Sequence, residues 1–236
     1  MAATYDARHT EKRILDENAL PLRYPRRMRA TCLLLATAAV LGRLSSGLSA
    51  EPLTAQTEED EYTRYELLEP ASASFRITYE VTAATPGSMV FFNPIRKGST
   101  ATDEAVYDRL TGQALPFEIV DSTAARAGGY ADAEPETSYI RIRLARPVPK
   151  GGETRLLILK TYRDPKSYYQ EGDAIVFSRS LSIRRNSVVL PVGYEIIALN
   201  VPSQVLLETD GRLAVSFMNA GPTDMPVVLK ARRGRR

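Results

Sequence analysis

The stretch Ser74-Phe75-Arg76-Ile77-Thr78-Tyr79-Glu80-Val81-Thr82 decides the fold class. Phe75, Ile77, Tyr79 and Val81 alternate with Arg76, Thr78, Glu80 and Thr82. Successive side chains of a strand point to opposite faces, so a period of two sets one row in a core and the other in solvent. The same pattern returns at 140–144, where Ile140, Ile142 and Leu144 alternate with Arg141 and Arg143. A Pro- and Gly-bearing turn at 147–152 then leads into 155–162, and the two runs read as a hairpin. Runs 105–109 and 115–120 flank Thr111-Gly112-Gln113 and read as another hairpin. Further short apolar runs lie at 89–92, 174–177, 188–190, 194–199, 205–207, 213–218 and 226–229, with Asp210-Gly211 as a tight turn before 213.

No stretch beyond residue 50 sustains a 3.6-residue apolar repeat. The prediction is an all-β fold, an antiparallel β-sandwich of about ten short strands, with a partly closed β-barrel as the alternative. The segments 121–137 and 163–172 read as loops.

Upstream of the first strand the character changes. Arg23, Arg26, Arg27 and Arg29 precede an apolar run at 31–41, and small residues end at Ala50. This is the three-part layout of a secretory signal peptide. A helix needs roughly 20 apolar residues to cross ~30 Å of hydrocarbon, about twice what this run offers, so no stable membrane span is expected after cleavage. The expected organisation is an untranslated or disordered extension at 1–27, a signal peptide at 28–50 starting from Met28, an acidic flexible stalk at 51–62, one β-sandwich domain at 63–231 and a basic tail at 232–236. The product is expected to be exported, to the periplasm or the extracellular space.

Composition then removes whole classes of chemistry. The single histidine, His9, and the single cysteine, Cys32, both precede Ala50. A chain cleaved there has no imidazole or thiol, which excludes Ser-His-Asp and Cys-His nucleophiles, His-ligated zinc and disulfides. No Ser-x-x-Lys step, Gly-x-Ser-x-Gly elbow or phosphate-cradling glycine loop is present. No cofactor is expected. Eight of the 31 basic and four of the 28 acidic residues fall in 1–50, leaving 23 basic against 24 acidic. Four of those 23 are Arg232, Arg233, Arg235 and Arg236, so the body is mildly acidic and is not expected to bind nucleic acid.

Three groups of residues are candidates for binding. Tyr168 and Tyr169, in the polar segment 163–172, offer flat faces with hydroxyls for a sugar ring or a partner side chain; alternatively, one of them plugs the end of the sandwich. Arg141 and Arg143 lie on the polar side of their strand and Arg184-Arg185 precedes another; if those two strands pair, four guanidinium groups form an anion patch, and otherwise they are solvated surface charges. Asp132, Glu134 and Glu136 alternate in a loop but lack the Asp-x-Asp-x-Asp-Gly spacing of a calcium loop, so no metal is expected. Acids for glycoside hydrolysis are available in Glu118, Asp121, Glu153, Glu171 and Asp173, without a specific pattern.

The phrases RPVPKGGETRLLILKTY (146–162), VVLPVGYEIIALNVPSQV (188–205) and DGRLAVSFMN (210–219) resemble the all-β N-terminal domains of aminopeptidase-N-type zinc peptidases and the lumenal part of ribophorin I. The resemblance spans about 139–230 and implies a β-sandwich module. The peptidases' HExxH helix has no counterpart here, so no catalytic residue carries over. Together these readings lead to the expectation of a non-enzymatic exported module of the cell envelope that binds a protein or glycan or serves a structural role; a carboxylate-dependent hydrolase acting on glycans is the alternative.

Overall fold

A computed structural model describes residues 61–234. The extension, the signal peptide, nearly all of the acidic stalk and the last two arginines lie outside the described residues. The stalk's final residue, Tyr62, opens the first strand, and Arg232 and Arg233 of the expected tail belong to the last one.

The described chain is an all-β sandwich. Its strands are β1 (Tyr62–Leu67), β2 (Ser74–Ala83), β3 (Val90–Pro94), β4 (Thr100–Asp108), β5 (Phe117–Val120), β6 (Tyr139–Arg143), β7 (Thr154–Arg163), β8 (Tyr168–Glu171), β9 (Ala174–Leu181), β10 (Arg185–Val189), β11 (Tyr194–Leu199), β12 (Gln204–Leu207), β13 (Leu213–Met218) and β14 (Met225–Arg233), with one short helix α1 (Ser122–Ala127). A seven-stranded sheet runs β12-β13-β10-β1-β2-β7-β4, a four-stranded sheet β11-β14-β9-β8 and a three-stranded sheet β3-β6-β5. All pairs are antiparallel except β1 with β10.

The alternation in β2 and β7 builds this arrangement. Phe75, Ile77, Val81 and Ala83 of β2, and Leu156, Ile158 and Tyr162 of β7, share one face of the large sheet. The four-stranded sheet covers one half of that face, packing Ile175, Phe177, Leu181, Val227 and Leu229 on Phe75, Ile77 and Tyr162. The three-stranded sheet covers the other half, packing Ile140 and Ile142 on Val81, Val106, Leu156 and Ile158. One continuous apolar row thus serves two separate cores, with a seam between them.

Two expected hairpins are replaced by sheet changes. The runs at 140–144 and 155–162 do not pair: β6 joins β3 and β5, and β7 joins β2 and β4. The turn at 111–113 does form, with Gly112 at φ 72° and a Tyr107–Ala114 bridge, but β5 then leaves β4 to pair with β6. Both runs of each proposed hairpin are apolar on one side, so each could satisfy that side equally well in a facing sheet. The segments read as loops also hold structure. Residues 168–171 form β8, and Asp121 caps α1 by accepting the Ala124 amide at 2.7 Å. The helix and its following loop pack Ala125 and Ala133 on Tyr139, on the outer side of the three-stranded sheet.

Candidate functional site

In β7 the inward row reads Leu156, Ile158, Lys160, Tyr162, and in β9 it reads Ile175, Phe177, Arg179, Leu181. Each strand therefore places a cation where its period of two calls for an apolar residue. Lys160 is 5 % exposed and Arg179 8 %. Burying a charge is costly unless it is paired, so its surroundings show what it is for.

Arg179 is well provided for. Its Nη1 donates to Asp164 Oδ2 at 3.1 Å, and Asp164 also accepts from the Ser167 hydroxyl at 2.7 Å, the Ser99 hydroxyl at 3.1 Å and the Ser167 amide at 3.1 Å. Burial favours the protonated form of Asp164, but the bonds from Ser167 and Ser99 and the charge of Arg179 outweigh it and hold the carboxyl below the usual range. The guanidinium also lies over the rings of Tyr65, Phe75 and Tyr162, 5.4–5.8 Å from their centroids.

Lys160 has much less. Its Nζ donates to Asn93 Oδ1 at 2.6 Å and sits 4.9 Å from the Tyr162 ring centroid. Among the described residues no carboxylate lies within salt-bridge distance of it. Burial and then the charge of Arg179 push its ammonium down to about 7, opposed by Glu104. Asn93 comes from β3, Lys160 from β7 and Arg179 from β9, so the group draws one residue from each sheet.

Above this group, where the two covering sheets part, lies a cleft of about 490 Å³ lined by Glu61, Tyr79, Arg96, Ser180 and Ser182 besides the buried residues. Arg96 sits at its rim, its Nη1 donating to the Ser180 carbonyl at 3.0 Å, while its amide donates to the Tyr162 hydroxyl at 3.3 Å. Burial raises the Tyr162 phenol to about 12, so it stays protonated. The Tyr79 hydroxyl donates to Glu61 at 2.8 Å. A second cleft of about 760 Å³ shares Glu61, Tyr79, Asn93 and Pro94 with the first and continues to Phe92 and Tyr130, whose rings stack 5.6 Å apart.

The sequence-derived candidates fall elsewhere. Tyr168 is fully buried, its hydroxyl donating to the Leu68 carbonyl at 2.9 Å, so its ring is a plug of the sandwich and not a ligand platform. Tyr169, on the other side of β8, is exposed. Arg141 and Arg143 lie on β6 of the three-stranded sheet, and Arg184-Arg185 leads into β10 of the seven-stranded one; those strands do not pair, so the four-arginine patch is not assembled. Arg141 Nε instead donates to Glu118 at 3.0 Å across the β5–β6 pair. Several candidate acids are similarly engaged: Glu171 pairs with Lys230, and Asp121 caps α1. Among the described residues no cluster of three or more His, Cys, Asp or Glu could hold a metal, and no helix is long and apolar enough to cross a membrane.

Lys160 and Arg179 did not emerge from the sequence as site residues. Their signal is parity: a basic residue in the apolar register of an otherwise regular strand.

No protein-family model and no curated protein matches the chain in sequence. Among solved structures, the M1 zinc metallopeptidase of Deinococcus radiodurans matches at 10 % identity with a TM-score of 0.46, over 73 % of this chain and 41 % of that one. A mutant two-domain M1 zinc metallopeptidase bound to L-tryptophan matches at 12 % identity and 0.45, over the same shares. The chain thus bears a weak, partial likeness to aminopeptidase-N-type enzymes, in line with the resemblance read from the sequence, and spans less than half the length of those structures. Nothing about activity follows from it.

Proposed function

We propose that this chain is an exported, non-enzymatic β-sandwich module of the cell envelope, periplasmic or extracellular, that binds a glycan in the cleft over the seam. The observation that carries this reading is the cleft itself. A gap between two covering sheets brings a cleft down to polar side chains of the interior, and the adjoining cleft adds the Phe92–Tyr130 stack, a flat aromatic surface suited to a sugar ring. The lack of histidine and cysteine beyond residue 50 supports the non-enzymatic part. So does the distribution of acids. Among the described residues, four clefts of about 350–760 Å³ are each lined by a single carboxylate side chain, Glu61, Glu118 or Asp164, whereas glycoside hydrolysis by paired acids needs two flanking one bond.

The test is a glycan array probed with the purified chain, alongside the variants Tyr79→Ala and Tyr130→Ala. Binding to a defined set of glycans that either variant abolishes is the expected result. Binding unaffected by both changes places the ligand elsewhere and ends the reading. Hydrolytic turnover of a bound glycan that is lost on changing one carboxylate overturns its non-enzymatic half.

A further inference from the structure

We propose that the seam cleft recognises a hexuronic acid, its carboxylate meeting the buried ammonium of Lys160 and its hydroxyls meeting the polar side chains around it. This rests on the reading of the cleft as a glycan site and names the sugar.

Charge is the first argument. The described lining carries three cations, Lys160, Arg96 and Arg179. Arg179 already has Asp164, and the cleft's own carboxylate, Glu61, accepts from Tyr79. Among the described residues, Lys160 is the one held inward with only a neutral amide for a partner. Buried charge without a counter-charge is a standing cost, and an anion entering the cleft removes it. A ligand carboxylate therefore gains at Lys160 what a neutral sugar cannot, because a charge-assisted bond in a desolvated site is about twice as strong as a neutral one.

Hydroxyl recognition is the second. A site for a bare anion needs only donors, but this one mixes donors with acceptors: Asn93, Ser182 and Glu61 line the same space as the three cations. Sugar hydroxyls both donate and accept, and can use such a set. Size agrees, because about 490 Å³ lies within the range of small-molecule sites and suits one or two rings. The half-buried ring of Tyr79 supplies a flat surface against which the apolar face of a pyranose packs.

The experiment is calorimetric titration of the full chain with D-glucuronate, D-glucose, N-acetylglutamate and inorganic sulfate. Glucuronate should bind, and glucose at least about tenfold more weakly. Lys160→Met, which keeps the length of the side chain and removes its charge, should lower glucuronate affinity by at least about tenfold. Arg76→Ala, on the opposite face of the sheet, should leave it unchanged. Thermal unfolding of each variant establishes that it is folded. The inference is overturned if glucuronate does not bind, if glucose binds equally well, or if Lys160→Met binds glucuronate undiminished. It is also overturned if sulfate or N-acetylglutamate binds as tightly as glucuronate, which makes the cleft an anion or peptide-carboxylate site. Array binding to neutral glycans that depends on Tyr79, without glucuronate binding, ends this inference and leaves the glycan module standing; loss of both ends both.

Discussion

The two faces of the seven-stranded sheet carry charge in opposite ways. On the outer face, Arg64 grips Glu208 with two bonds of 2.7 and 2.8 Å and Glu66 with a third of 2.8 Å, while Arg76 and Arg212 add to the same carboxylates. Every member is at least partly exposed, and water can replace a bond that is lost. At the inner face two cations are deeply buried, Lys160 on the sheet itself and Arg179 on the four-stranded sheet that covers it, and their treatment is unequal: Arg179 has a carboxylate braced by two serines, and Lys160 has an amide. A charge on the outer face costs little and contributes little. One on the inner face must be matched or it works against the fold, and a fold that keeps an unmatched charge there has a use for it.

That contrast is broken most severely at Asp164. Asp164→Ala leaves Arg179 charged, buried and unpaired, because a guanidinium does not deprotonate, and strands the hydroxyls of Ser99 and Ser167. Destabilisation of about 3–5 kcal/mol is expected by urea unfolding, enough to consume much of the stability of an ordinary domain. A loss below about 1 kcal/mol would mean that Arg179 escapes to solvent.

Lys160→Met is expected to act in the opposite direction, stabilising by about 3 kcal/mol near pH 7, because an apolar residue of similar length replaces a cation that burial and Arg179 disfavour. The pH dependence has a definite sign. The folded-state value is about 7, below the usual 10.5, so between these values the unfolded chain holds a proton at Lys160 that the folded chain has released. Wild-type stability attributable to this residue therefore rises with pH from about 7 to 10.5, and the advantage of Lys160→Met should shrink over that window. Unfolding curves of both proteins at pH 7 and pH 9.5 measure it. A gap that stays constant means that Lys160 is not buried as a cation at pH 7.

The sequence made the sheets legible and left the seam obscure, for a physical reason. Strand periodicity reports which side of a strand is apolar, and Phe75, Ile77 and Val81 announced that side plainly. It does not report what covers that side, and here two different sheets do, one over Phe75 and Ile77 and the other over Val81. The position of the seam depends on β5 leaving β4 and on β6 avoiding β7, choices made by long-range pairing. Lys160 and Arg179 sit at apolar parity in plain view, yet a single basic residue in a strand is an ordinary occurrence until the partner sheets are known. The surface arginines Arg141, Arg143, Arg184 and Arg185 form two clusters in sequence, and the fold places them on different sheets. Tyr168 and Tyr169 were legible only as alternatives: adjacent residues of a strand face opposite ways, so one of the two had to turn inward, and β8 turned Tyr168.

The smallest effect is expected on the outer face. Arg64 touches both Glu66 and Glu208, whose hydrogen bonds raise its proton affinity still further, and both carboxyls are held below their usual range, burial opposing the shift at each. These shifts demonstrate interaction, but the groups are partly hydrated and their contribution to stability is correspondingly discounted. Arg64→Ala should cost only about 1 kcal/mol in low salt, because Arg212 remains within 3.6 Å of both carboxylates and water solvates the vacated side. In 1 M NaCl the cost should fall to about half or less, since the Debye length there is about 3 Å. Asp164→Ala, whose charge is hidden from the ions, should keep nearly its whole effect in the same salt. If the two substitutions lose stability in equal proportion when salt is added, solvent reaches both faces of the sheet alike, and the distinction between them that gives Lys160 its meaning does not hold.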